Sequence, residues 1–195
     1  SELKDSEFRV IMFTSAIAGE GKTTIAAFLA RMLAIGESDR VLLVDCAVTD
    51  PEIHTLFGID NDKGILDYLS GTASLDEIIK TADEGVLDIV PVGPRRGADI
   101  TQPLFNSEKM STFIKAAREI YDYVLIDTSA ILEAPETPII GSYATGTVIV
   151  VQSGRTKREV IKRAMLTIEK LGGKFLGTVL NRKKYYIPEF IYRRV

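Results

Sequence analysis

The stretch Ser15–Thr24, SAIAGEGKTT, decides how the rest of this chain is read. It follows the apolar run FRVIMFT (8–14) and precedes a segment of helical periodicity, so it sits at a strand-to-helix turn. Gly19 and Gly21 let backbone N–H groups approach an anion with no Cβ in the way. The helix that follows points its positive end at the same place. Lys22 has the reach for the β- and γ-phosphates of a nucleotide, and Thr23 offers a hydroxyl to Mg2+. Ala18, Gly19, Glu20, Gly21, Lys22, Thr23 and Thr24 are therefore the candidate nucleotide-binding loop. The strict pattern G-x-x-x-x-G-K-[ST] asks for glycine at 16, where this chain has Ala16. The competing interpretation is a strand–turn–helix with a Gly-rich turn and no ligand.

Outward from this loop the chain alternates short β-rich runs with helical periods. Strands are expected at 8–14, 41–45, 86–92, 123–128, 147–152 and 175–181. Several are continuous apolar runs, as in strands covered on both faces. Apolar stripes are expected on three helices: Ile25, Phe28, Leu29, Met32 and Leu33; Met110, Phe113, Ile114, Ala117 and Ile120; and Val160, Ile161, Ala164, Ile168 and Leu171, the last stopped by Gly172 and Gly173. This alternation predicts an α/β fold, a mostly parallel central sheet with helices on both faces.

Ligands of such sheets sit beyond the carboxyl ends of the strands. Two strands end there in aspartate, Asp45 in VLLVDC and Asp127 in YVLIDT. With a phosphate loop upstream, Asp127 reads as a Mg2+-holding carboxylate, and Asp45 as a second acid near the γ-phosphate that binds metal or takes a proton. Either could instead cap the element that follows it. Asn181 ends the last strand, where an amide can meet a base or simply serve a turn.

The 195 residues, 46% hydrophobic and 26% charged, suffice for one domain with a substantial core. A net charge of −3 gives no electrostatic footing for nucleic acid. Cys46 is the single cysteine, so no internal disulfide forms, and lone His54 has no partners for a zinc site. No apolar run reaches membrane-span length and no signal peptide is legible, so a cytoplasmic setting is expected. The chain begins at Ser1 rather than Met, which leaves a longer protein open.

In order, SAIAGEGKTTIAAFLA, DRVLLVDCAVTDPEIHTLFG, KGILDYLSGTASLDEII, YDYVLIDTSAI and VLNRKKYYIPEFIYRR resemble the bacterial tyrosine kinases that control capsule and exopolysaccharide chain length. The resemblance spans nearly the whole chain from Phe8. It implies a P-loop NTPase fold of the deviant Walker A class, which also holds septum-site and partition ATPases. Those ATPases carry a lysine five residues before the loop lysine, where this chain has Ile17, which favours the kinase branch. The resemblance further implies ATP and Mg2+ as cofactors, Lys22, Asp45 and Asp127 as catalytic residues, and Thr23, Asp45 and Asp127 at the metal. It implies self-association, a membrane adaptor or chain-length-determinant partner, and a place at the inner face of the cell membrane.

Three departures stand out. The family motif Asp-x-Asp-x-Arg reads Asp45, Ala47 and Thr49 here, so one carboxylate survives unless Asp50 substitutes. Thr-Pro-Pro after Asp127 is replaced by Thr128-Ser129-Ala130, and the opening SELKDSEF lacks the family's Arg-containing association helix. Residues 1–181 are thus read as an ATP-binding, kinase-like domain and 182–195 as a basic tail. Tyr185, Tyr186 and Tyr192 in that tail are the candidate phospho-acceptors for a neighbouring copy. Packing of the tail on the domain, or contact of its basic and aromatic residues with an anionic membrane, are alternatives. At the level of function the alternatives are a kinase-deficient ATP-binding regulatory module and a partition-type ATPase.

Overall fold

The computed structural model describes residues 9–36, 39–95 and 101–183. Among the described residues seven strands form one sheet: β1 (Val10–Ser15), β2 (Val41–Cys46), β3 (Lys80–Ala82), β4 (Leu87–Val90), β5 (Tyr123–Thr128), β6 (Gly146–Gln152) and β7 (Phe175–Asn181). Their spatial order is β3-β4-β2-β5-β1-β6-β7, all parallel except β3, which runs antiparallel to β4. The six strands expected from sequence are all present: those at 123–128 and 175–181 keep both expected ends, and the other four have ends shifted by at most two residues. The three-residue edge strand β3, KTA, was not expected, because three polar-edged residues carry no periodicity.

The helices are α1 (Lys22–Gly36), α2 (Ile53–Phe57), α3 (Ile65–Ser70), α4 (Leu75–Ile78), α5 (Thr101–Phe105), α6 (Glu108–Ile120), α7 (Thr137–Tyr143) and α8 (Arg158–Lys170). Successive strand residues serve opposite faces. Met12, Leu42, Val44 and Ile126 meet Met110 and Phe113 of α6 and the residues of α3 on one face. Phe13, Val41, Leu43 and Leu125 meet α1 on the other. Ile149 and Val151 of β6 pack under Ala164 and Ile168 of α8. Gly172, with φ of 81°, and Gly173 return N–H groups to Glu169 and Ile168, ending α8 as expected.

The expected stripe on α1 is corrected. Its buried residues are Thr23, Ala26, Ala27, Ala30 and Ala34, while Phe28 is 63% and Met32 56% exposed. The reason is proximity: alanines let the helix axis approach β1, β2 and β5 closely, and so turn the larger side chains to the flank and outward. Ile120 and Leu171 also lie at the exposed ends of their stripes. Among the described residues no helix is long and apolar enough to cross a membrane.

Candidate active site

The loop between β1 and α1 turns through Gly19 (φ 79°) and Gly21 (φ 90°), a left-handed conformation that glycine adopts without a Cβ penalty. Ala18 and Gly19 are exposed, Lys22 is half-buried, and Thr23 is buried at the start of α1. Glu20 is turned inward and fully buried. Its Oε2 accepts from Ala16 N (3.1 Å) and Ile17 N (3.2 Å), and its Oε1 from Gln152 N (2.9 Å) and the Thr156 hydroxyl. The side chain therefore holds the loop from behind, and any phosphate contact at this position falls to the main chain.

At the strand ends Asp45 and Asp127 occupy the same register of the β2–β5 pair. Both are fully buried. Burial raises Asp45 to about 6, against the N–H groups of Ala47 (2.9 Å) and Ile53 (3.3 Å) and the charge of Lys22, which lower it. Burial raises Asp127 to about 7; Lys22 again pulls down and Asp45 pushes up. The charge of Lys22 thus acts on both acids, as a lysine lying between them and a bound phosphate should. Asp45 also does what a simple capping residue does, since Ile53 opens α2.

Whether these residues fit Mg2+ can be tested on their own hydrogen bonding. Both oxygens of Asp127 and the Thr23 hydroxyl are buried; the hydroxyl faces the carboxylate and lowers its pKa, and beyond each other neither group has a hydrogen-bond partner among the described residues. Buried acceptors left this way are costly. An oxygen-seeking cation beside them satisfies a carboxylate and a hydroxyl together, which is the donor set Mg2+ takes. The residues fit.

The loop after β2 does not replace the missing acid with Asp50, which is exposed and turned into a tight turn through its N–H to Ala47 O. Ala47 itself is fully buried. Thr49 Oγ1 accepts from Ser129 Oγ (3.2 Å), tying this loop to the one after β5. Glu52, at the start of α2, raises both Asp45 and Asp127 through its charge. Glu133 takes the N–H of Ala18 on its Oε1 (3.1 Å), placing a carboxylate on the outer lip of the loop. Neither glutamate was expected from sequence. Their one visible signal is an acid shortly after a strand-end aspartate.

Asn181 is brought to the loop. Its Nδ2 donates to Glu20 O (2.9 Å) and its Oδ1 accepts from Arg182 N (2.8 Å). Tyr185, Tyr186 and Tyr192 lie outside the described residues. His54 lies on α2, with its Nε2 facing the Thr55 hydroxyl (3.2 Å).

Residues 8–177 match the family model described as an AAA domain. The chain is 33% identical to the tyrosine-protein kinase YwqD of Bacillus subtilis, over 92% of this chain and 75% of that protein. It is 34% identical to the tyrosine-protein kinase CpsD of Streptococcus agalactiae, over 93% of this chain and 78% of that one. Among solved structures, the kinase domain of VpsO superposes with a TM-score of 0.83 at 29% identity, over 91% of this chain and 86% of that one. A nucleotide-binding loop, paired strand-end carboxylates and these relatives lead to one statement: the chain belongs to the bacterial tyrosine-protein kinases, as a P-loop domain of the AAA type.

Proposed function

We propose that this domain transfers the γ-phosphoryl group of ATP, bound with Mg2+, to tyrosine hydroxyls in the tail of a neighbouring copy. The observation that carries the reading is the buried set of Thr23, Asp45 and Asp127, with the half-buried Lys22 acting on both carboxylates and the oxygens of Asp127 and Thr23 given no partner besides each other among the described residues. Loop N–H groups and Lys22 hold the β- and γ-phosphates; Thr23 and Asp127 hold the cation, with Asp45 beside them. Mg2+ bound there neutralises charge on the transferring phosphoryl group. The tyrosine oxygen forms the new bond to Pγ, the bond from Pγ to the β-phosphate oxygen breaks, and ADP leaves. The phenolic proton goes to a carboxylate of the site. Asp45, whose oxygens each keep a lone pair beyond one backbone N–H, is the acceptor in reach of the cluster.

The resemblance supports the surroundings of this step: residues 182–195 as the acceptor tail with Tyr185, Tyr186 and Tyr192, self-association, a membrane adaptor, and work at the inner face of the membrane in exopolysaccharide or capsule export. Intact-mass measurement after incubation with Mg·ATP tests the reading, with Lys22→Met as control and Tyr→Phe changes at 185, 186 and 192. Phosphate on these tyrosines, absent from the Lys22→Met protein, is the expected result.

A second reading is favoured by one observation, the buried Ala47 where the family has its second aspartate. On that reading the domain binds Mg·ATP as a signal and does not transfer phosphate. Tight ATP binding with an unchanged mass, at concentrations that permit association and with the activating partner segment present, selects it.

A further inference from the structure

We infer that the outer side of α8, together with the edge strand β7, is a docking surface for an anionic lipid bilayer. The inference stands apart from phosphoryl transfer. It goes beyond the membrane setting proposed above by naming the face of this domain that meets lipid.

Charge is divided unevenly along the chain. Residues 1–154 hold 12 basic and 24 acidic side chains, whereas residues 155–195 hold 12 basic and 3 acidic. The net charge of −3 therefore conceals a stretch of −12 joined to one of +9. An asymmetry of this size points to an anionic partner for one side of the molecule. The basic stretch contains α8 and β7, and β7 closes the sheet at its edge.

On α8, Ala164 and Ile168 face the sheet. Residues four apart lie one above the other on a helix. Arg158, Lys162, Leu166 and Lys170 therefore form one stripe, and all four are exposed, as is Arg163 beside them. Among the described residues none of these cations forms an ion pair with a carboxylate. Glu159 and Glu169 are the two acids of the helix. Leu166, within the stripe, is 52% exposed; Leu171, where α8 ends, is 50%; Leu176 and Leu180 on β7 are 37% and 57%. Among the described residues no strand lies beyond β7 to cover its side chains. Exposed apolar side chains gathered beside cations mark an interaction face. A nucleic acid would use the cations and leave the leucines in water. A bilayer takes both: leucines enter the boundary between headgroups and acyl chains, and long Lys and Arg side chains reach the headgroup phosphates.

The test is co-sedimentation of the whole chain, without nucleotide, with vesicles of phosphatidylcholine alone and of phosphatidylcholine mixed with phosphatidylglycerol. Binding is expected for the anionic vesicles only, and to weaken as salt rises. A basic residue at such a surface contributes about fivefold, so Lys162→Gln with Lys170→Gln is expected to weaken binding about 25-fold. Leu166→Ser is expected to weaken it about tenfold with no change of charge. Lys109→Gln with Lys115→Gln, on α6, changes the net charge equally and is expected to leave binding within about twofold. Melting of each variant without lipid checks that the fold is intact. Binding that survives the α8 changes places the lipid contact elsewhere, the basic tail included, and overturns the inference. Equal loss from the α6 pair reduces the effect to net charge and overturns it, as does the absence of binding to anionic vesicles. Retention of duplex DNA in place of vesicles, lost with Lys162 and Lys170, makes the face one for nucleic acid and overturns it too. None of these outcomes bears on phosphoryl transfer, which the mass measurement tests separately.

Discussion

Asp45 and Asp127 stand in register on adjacent parallel strands, both fully buried, with the half-buried Lys22 as the cation acting on the pair. Two carboxylates so placed cannot both ionise cheaply in the absence of a cation. Burial raises one to about 6 and the other to about 7, above the ordinary 3.8. A group raised in the folded state contributes stability that is complete below its unfolded pKa, here near 4, and lost as pH rises through the folded value. The ligand-free domain is therefore expected to lose stability between about pH 4 and 7 from this pair.

Asp127→Asn removes the larger part of that penalty. At pH 8 without ligand the variant is expected to be more stable than the unsubstituted chain, by on the order of a few kcal/mol. It is also expected to lose the stabilisation that Mg·ATP gives, because the carboxylate that binds the cation is gone. Thermal melts at pH 5 and pH 8, with and without Mg·ATP, check both halves. A variant less stable than the parent at pH 8 contradicts the assignment.

Glu20 gives a second prediction. It ties residues 16 and 17 to Gln152 and Thr156, so its loss frees four donors around a buried site. Glu20→Ala is expected to cost about 3 kcal/mol in urea unfolding. Thr156→Val removes one donor and leaves the other three in place, with an expected cost of about 1 kcal/mol. Equal costs for the two would show that the carboxylate is not the tie.

These contacts mark the limit of what the sequence discloses. The sheet is legible because VLLVD and YVLID are buried on both faces and end in acids at the ligand edge. The tie from Glu20 to Gln152 is not, because the partners are 132 positions apart and nothing local marks either of them. Glu133 reaches Ala18 across 115 positions for the same reason. On α1 the periodicity was visible but its direction was not. Phe28 and Met32 share a helical stripe with Ile25 and Leu29, yet the alanine face sits closer to the sheet and wins the interior. Side-chain size, read alone, points the wrong way when a helix packs closely.

That reversal is itself testable. Phe28, 63% exposed, lines a shallow groove with Ala27, Leu56 and Phe57. Phe28→Ser is expected to change stability by no more than about 0.5 kcal/mol, as surface changes usually do. Ala30→Leu forces extra volume between α1 and the sheet and is expected to cost about 1–3 kcal/mol. Urea midpoints of the two variants check the order; a larger loss from Phe28→Ser returns the core to the larger side chains.

Ala47 supplies the last prediction. Its side chain is fully buried and its N–H is held by Asp45 Oδ1. Restoring the acid with Ala47→Asp places another carboxylate beside Asp45 and Asp127, with Lys22 acting on those two and Glu52 already adding negative charge. Without ligand, the added charge must be desolvated among like charges, and the domain is expected to lose about 2–3 kcal/mol at pH 8. Divalent cation offsets a carboxylate cluster directly, so much of the loss is expected to return on adding Mg·ATP. The ligand-induced rise in melting temperature should therefore be larger in Ala47→Asp than in the parent. If Mg·ATP stabilises both proteins equally, position 47 does not face the cation, and the buried alanine is a packing choice with no bearing on the metal.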